Sequence, residues 1–350
     1  MVGMEQFIHS FANFPTFLIT WLTFSAAAAI TFLLVVITNR EKITFLGFLR
    51  HCFPFSSWRE KSARMDIKLY FLGKLTDKTY SALMPLCTVL VSGLIGKALK
   101  LTFPNHVIIH PNYVVIVCCA LTLFIVIEFS TYFTHYLQHH VPVLWEIHKV
   151  HHSATFLNPL TARRGHPLGF VFDGSVSAIL AGIPAGIFGA FFGFGLADAL
   201  FLYACADKIG TIVTLDALKH SHFPISYGWL DRVLISPYMH QVHHSIKPEH
   251  WGKNFGINLS IWDWIFGTAV KPAPHEEIIY GFGTGEEKDY DGLWGVYAGP
   301  LAKMWRLIVG RDSNSTTGLD APKRRPIGAG VLWRTPSAAA AFEDDKSLVA

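Results

Sequence analysis

Four stretches of the chain run almost without charge. The first, PTFLITWLTFSAAAAITFLLVVI over 15–37, is long enough to cross a bilayer as one helix. The second, 82–101, is weaker because Lys97 and Lys100 interrupt it. The third, YVVIVCCALTLFIVIEFSTYF over 113–133, predicts a helix that leaves the membrane with Glu128, Tyr132, His135 and His139 along one face. The fourth, 170–206, is too long for one span. Its Gly and Pro near 182–195 predict a tight helical hairpin, or two spans crossing closely at small residues. This is the pattern of an all-α integral membrane protein with about four to five transmembrane helices. The tail from 311 is polar and rich in Gly, Pro and Ala, and is expected to be disordered.

Basic residues orient these spans. The segment 38–80 carries Arg40, Lys42, Arg50, Arg59, Lys61, Arg64, Lys68, Lys74 and Lys78, which places it in the cytosol. The turn 102–112 has no Lys or Arg and goes outside. Segments 134–169 and 207–350 then return to the cytosol, in a bacterial inner membrane or a eukaryotic endoplasmic reticulum. The N-terminus lacks the basic start of a secretory signal, so the first span reads as a retained anchor.

Composition agrees. Of 350 residues only 15% are charged, against about 25% in soluble domains, so much of the surface is expected to face lipid. The net charge of +4 gives no case for nucleic acid. Cys52, Cys87, Cys118, Cys119 and Cys205 form no CxxC pair and read as reduced packing residues.

The candidate chemistry lies in histidine. Thirteen of eighteen histidines fall between 135 and 250. HYLQH sets His135 and His139 four apart, and HKVHH sets His148, His151 and His152 at i, i+3, i+4. HQVHH repeats that spacing with His240, His243 and His244. Positions three and four apart share a helix face, so each HxxHH is expected to aim three imidazoles in one direction. The eight histidines of these motifs exceed what one ion uses, since a zinc takes about four ligands; two ions sharing a site fit the count. Imidazole suits iron, zinc, copper and nickel alike. DALKHSH puts Asp216 four before His220, where a carboxylate can hold a ligand imidazole by its other nitrogen, with His222 close by. His166 is a turn histidine before Pro167, His140 and His250 read as rim residues, and His9, His51, His106, His110 and His275 are isolated.

HYLQH, HKVHH, HSH and HQVHH resemble the histidine boxes of the fatty acid hydroxylase/sterol desaturase superfamily. The phrases LWEIHKVHHSATFLNPLTARRGHP, SPYMHQVHHS and NFGINLSIWDWIFGT resemble it too, over about 128–268. The resemblance implies a membrane oxygenase with two iron ions and O2 as co-substrate, built as a transmembrane stalk under a cytosolic helical cap. Its ligands would fall on His135, His139, His148, His151, His152, His220, His240, His243 and His244, with His222 a tenth. Glu128, Tyr132, His166 and Asp216 would stand behind them. The chain divides accordingly into N-terminal helices and basic segment (1–110), a catalytic domain (111–275) and a C-terminal extension (276–350).

The implied substrate is a bilayer lipid: a sterol, fatty acyl chain, alkyl ether lipid or carotenoid, with hydroxylation, desaturation and ether oxidation all open. FLNPLTARRGHP resembles the sterol-desaturase branch more than the fatty acyl 2-hydroxylase branch. Trp145, Phe156, Phe170 and Phe172 are candidates for a lipid channel or for interfacial anchors. The chain holds no dinucleotide fingerprint, CxxCH haem site or ferredoxin cysteine set, so a separate donor is implied: a b-type cytochrome, or a ferredoxin with its reductase. The basic 38–80 segment suits such an acidic donor or anionic lipid.

Other classes explain less. A histidine-rich metal transporter or metal-binding membrane protein is the alternative, but transporters hold ions near mid-membrane in broken helices. A bis-histidine haem protein needs paired histidines inside its spans, and a zinc hydrolase needs an open metal position and a general base.

Overall fold

A computed structural model describes residues 16–39, 44–106, 108–109, 112–193, 196–271, 273 and 276–310. His9, His110, His275 and the tail from 311 lie outside them. The described residues are helical, with isolated bridges between Leu234 and Leu259 and between Ser245 and Tyr280 in place of strands.

In chain order the helices are α1 (Thr16–Asn39), α2 (Phe45–Cys52), α3 (Phe55–Trp58), α4 (Lys61–Thr102), α5 (Tyr113–His140) and α6 (Pro142–His152). They continue with α7 (Pro167–Phe192), α8 (Leu196–Val213), α9 (Asp216–Lys219), α10 (Pro237–His243), α11 (Ile261–Phe266) and α12 (Leu293–Ile308). Two stretches, Val114–His140 and Pro167–Phe192, are long and apolar enough to cross a membrane; α1 contains a shorter apolar stretch, Trp21–Leu33.

The expected second span, 82–101, is the latter half of the 42-residue α4, continuous with part of the basic segment. Hydropathy sees only the change in composition there; no helix stop accompanies it. In the fourth stretch the break falls at Gly193, whose φ of +67° caps α7. Pro184 sits inside α7 without ending it.

Small residues set how closely the helices approach. Ala178, Gly182, Gly186 and Ala190 recur every fourth position of α7 and are all buried. A Cβ on Gly182 would lie 2.7 Å from the Val91 Cβ, and one on Gly186 2.7 Å from the Ser92 carbonyl oxygen. The α4 backbone thus rests directly on α7. On another side, α5 meets α7 through Leu123, Ala181 and Ala185. A polar ladder continues that seam: Ser130 Oγ lies 2.6 Å from Ser177 Oγ, and Gln138 Nε2 donates to Asp173 Oδ1 at 2.7 Å.

Two apolar clusters tie the flanking segments to the histidine boxes. Phe24, Ala27 and Ala28 of α1 pack on Cys52, Ala217, Leu218 and Phe223, beside HSH. Met65 and Leu69 of α4 pack with Val150 of α6, Tyr290 and Val296. Residues 276–310 therefore share a core with the second box, and the expected boundary at 275 does not separate them. The five cysteines are free; Cys118 is exposed rather than packed inside.

Candidate metal centre

Each histidine box sits at a helix end. HYLQH occupies the last turns of α5, whose following Val141 and Pro142 end one helix and start the next. HKVHH ends α6, and HQVHH closes α10, a short helix capped by the Ser236 hydroxyl accepting from Met239 N. The folded ends bring nine histidines into two neighbouring groups: His135, His139, His148, His152 and His243; and His151, His220, His240 and His244. Within each group one ligand atom per residue lies within 4.8 Å of all the others.

The HxxHH motifs do not each serve one centre, as the shared-face expectation had it. His148 and His152, four apart, go to the first group while His151 goes to the second. His240 and His244 go to the second while His243 goes to the first. The i, i+4 pair aligns along the helix axis; the i+3 residue is rotated off it, toward the second group. The groups touch where the His152 and His244 rings stack at 4.6 Å.

Backbone carbonyls fix several rings. Nδ1 of His135 lies 2.8 Å from the Phe255 oxygen, Nδ1 of His151 3.0 Å from the Arg164 oxygen and Nδ1 of His243 2.7 Å from the Lys253 oxygen. A carbonyl only accepts, so each Nδ1 carries the proton and each Nε2 keeps its lone pair, the arrangement a metal ligand needs. The Nε2 atoms converge. His152 Nε2 lies 3.2 Å from His148 Nε2 and 3.1 Å from His243 Nε2. His220 Nε2 lies 3.2 Å from His151 Nε2 and 3.0 Å from His240 Nε2. His135 Nε2 and both ring nitrogens of His139 are buried with no hydrogen-bond partner. Buried nitrogens without partners, aimed at one another, are costly unless a cation sits among them. This donor set fits a metal.

The electrostatics agree. Burial, and then neighbouring histidines, hold His148, His152, His220, His240, His243 and His244 well below the usual imidazole range, and burial brings His151 down to about 4. The rings are neutral at physiological pH, which is the ligating form.

Five expected residues lie elsewhere. His222 belongs to neither group: its Nε2 meets the His51 carbonyl oxygen at 2.8 Å, and His51, expected to be isolated, reaches Thr31 Oγ1 at 2.9 Å. Asp216 pairs with Lys219 at 2.8 Å rather than holding His220. His166 caps α7, accepting from Leu168 N through Nδ1 and donating from Nε2 to the Tyr297 oxygen at 3.0 Å. Glu128 and Tyr132 touch no imidazole through hydrogen bonds. Glu128 accepts from Asn258 N, Asn258 Nδ2 and Leu259 N at 2.8–3.0 Å, and Tyr132 Oη lies 3.1 Å from Thr268 Oγ1. Of the rim residues, His250 lies 3.4 Å from Glu276, which Lys247 already engages; His140 stacks on Tyr136.

Glu128 and Tyr132 instead hold the NFGINLSIWDWIFGT segment, which carries the Phe255 carbonyl and follows directly on Lys253. Asp263 accepts from Phe255 N and Gly256 N, both at 2.8 Å. Asn254, at φ +57°, bridges the Met239 and Val270 oxygens. Gly256 has no room for a Cβ: it would meet the Leu259 carbonyl oxygen, with Asp263 Oδ2 at 2.9 Å.

Sequence reasoning missed the pair behind His151. Arg164, fully buried, binds Asp66 of α4 at 2.9 Å and donates to the Val150 oxygen and Ser153 Oγ at the end of α6. Asp66 also accepts from Asn158 and Thr161 at 2.7 Å. An aspartate 98 positions from its arginine leaves no local signal. Among the expected channel aromatics, Trp145 packs against His139 and His152 at 4.9 and 5.5 Å and walls the first group. Phe156 stacks on His222 instead, and Phe170 covers Gly165.

The fatty acid hydroxylase family model matches residues 120–268, a window that holds all nine converging histidines. This segment belongs to the fatty acid hydroxylase family. Its relatives are lipid enzymes. An ornithine lipid hydroxylase of Rhizobium tropici is 30% identical over 151 residues, covering 42% of this chain and 40% of that protein. The human alkylglycerol monooxygenase is 28% identical over 162 residues, 45% of this chain and 32% of the relative. A Delta(7)-sterol 5(6)-desaturase of Aspergillus fumigatus is 31% identical over 163 residues, 42% and 47% respectively. The match to this chain thus spans less than half the length of each of these relatives. No solved structure matches it.

Proposed function

We propose that this protein is a membrane-bound non-haem di-iron oxygenase that hydroxylates or desaturates a bilayer lipid. The observation that carries the proposal is the convergence of nine imidazoles, seven buried and two half-buried, into two adjacent groups within a fatty acid hydroxylase segment. His135, His139, His148, His152 and His243 would hold one iron, and His151, His220, His240 and His244 the other. Bound iron would supply what side chains cannot: activation of O2 and removal of hydrogen from an unactivated C–H bond.

The chain's own part is to hold, orient and exclude. The Phe255, Arg164 and Lys253 carbonyls keep three rings in the ligating tautomer. Trp145 and Phe255 pack on the first group and keep water away from it. The first box lies at the end of α5, a helix long and apolar enough to cross a bilayer, and the other boxes converge on it there, a position that suits a substrate still embedded in lipid. The site faces the cytosol in this proposal, on the strength of the basic residues of 38–80. Electrons come from a separate donor, a b-type cytochrome or a ferredoxin with its reductase.

The test is a lipid comparison. Membranes holding the intact protein, supplied with reductant, should form an oxygen-dependent product from host or added lipids, and His243→Ala should abolish it while still inserting. A product made equally without O2, or by His243→Ala, would refute the proposal.

A further inference from the structure

Helix α12 presents an unpartnered apolar face. Its inner side, with Val296 and Pro300 buried, packs against α6 through Val150 and against α4 through Met65 and Leu69. On the outer side Trp294 is 80% exposed, Trp305 63% and Ile308 63%, with Leu301 also exposed. Separations of seven, four and three residues put these four on a single stripe. The two indoles stand about 16 Å apart along it. A soluble surface rarely displays such a stripe.

The occupant follows from where the helix stands. The Tyr297 carbonyl of α12 accepts from His166, the N-cap of α7, and α7 is long and apolar enough to span a membrane. The first turns of α12 therefore sit at the level where α7 enters the bilayer. Tryptophan is the residue enriched at that level. Exposed Arg306 lies beside the stripe, where its stem can reach along the helix to headgroups. Elsewhere Trp262 of α11 packs on Phe129 of the apolar helix α5, and its neighbours Trp264, Ile265 and Phe266 are exposed.

We propose that α12 is an in-plane interfacial helix whose Trp294–Leu301–Trp305–Ile308 face lies in the headgroup region of the bilayer, on the same side as the histidine groups. Because its inner face packs on α6, which carries His148, His151 and His152, this contact fixes the height of the second histidine box above the lipid. The inference rests on reading Val114–His140 and Pro167–Phe192 as membrane helices.

Photo-crosslinking tests it on the full chain in liposomes. Benzoylphenylalanine would replace Trp305 in one sample, Val117 of α5, itself 54% exposed, in a second, and the exposed Glu249 in a third. Adducts are identified by mass spectrometry. Lipid adducts at 305 and 117 with none at 249 are expected. Lipid at 117 but a protein adduct, or none, at 305 would overturn the α12 inference and leave the membrane helices standing. No lipid at either position would overturn both.

Discussion

His220 and His222 are two positions apart, and only His220 points at the metal groups. They sit in the turn just past α9, where the chain bends between them, so proximity in sequence misleads. Replacing His222 with Ala should leave bound metal per chain unchanged, whereas His220→Ala should lower it; elemental analysis of the purified variants decides. The Asp66–Arg164 pair acts through packing. Removing one partner strands a buried charge, so Asp66→Asn or Arg164→Met should each cost about 3–5 kcal/mol in unfolding measurements, and the double variant much less than their sum. Gly256→Ala should also destabilise, by about 1–3 kcal/mol in thermal unfolding, because its Cβ would crowd Asp263 and the Leu259 carbonyl.

At the scale of elements, local spacing was the most legible feature. The i, i+4 period of HYLQH and HxxHH put those histidines on helices, and the Gly-rich stretch near 182–195 showed that 170–206 is two helices. What spacing cannot give is direction after the helix ends. The split of each HxxHH between two centres depends on how α6 and α10 face each other. The pairing of Glu128 with Asn258 spans 130 residues, and the docking of α12 on α6 joins segments equally remote in sequence. Such long-range partners leave no trace in a period of three or four. The α4–α7 contact yields its own prediction. Gly186→Val would press a branched side chain against the Ser92 carbonyl and Ile95, so it should separate the two helices and lower the melting temperature of the detergent-solubilised protein. Gly93→Val, at a position with open space, should not.

The whole molecule joins two things: apolar helices that suit a bilayer, and a dense set of imidazoles gathered at the end of one of them, α5. Helices α1, α4 and α12 close around the boxes from both chain ends, so the site belongs to the full fold and not to residues 120–268 alone. The account stands on metal occupancy. The direct measurement is the metal content of the full chain, purified in detergent from iron-supplemented cells. About two irons per chain are expected from two histidine groups, falling when His151 or His244 is replaced by Ala. Well-folded protein with no bound metal, and none taken up on anaerobic addition of ferrous iron, would contradict the account.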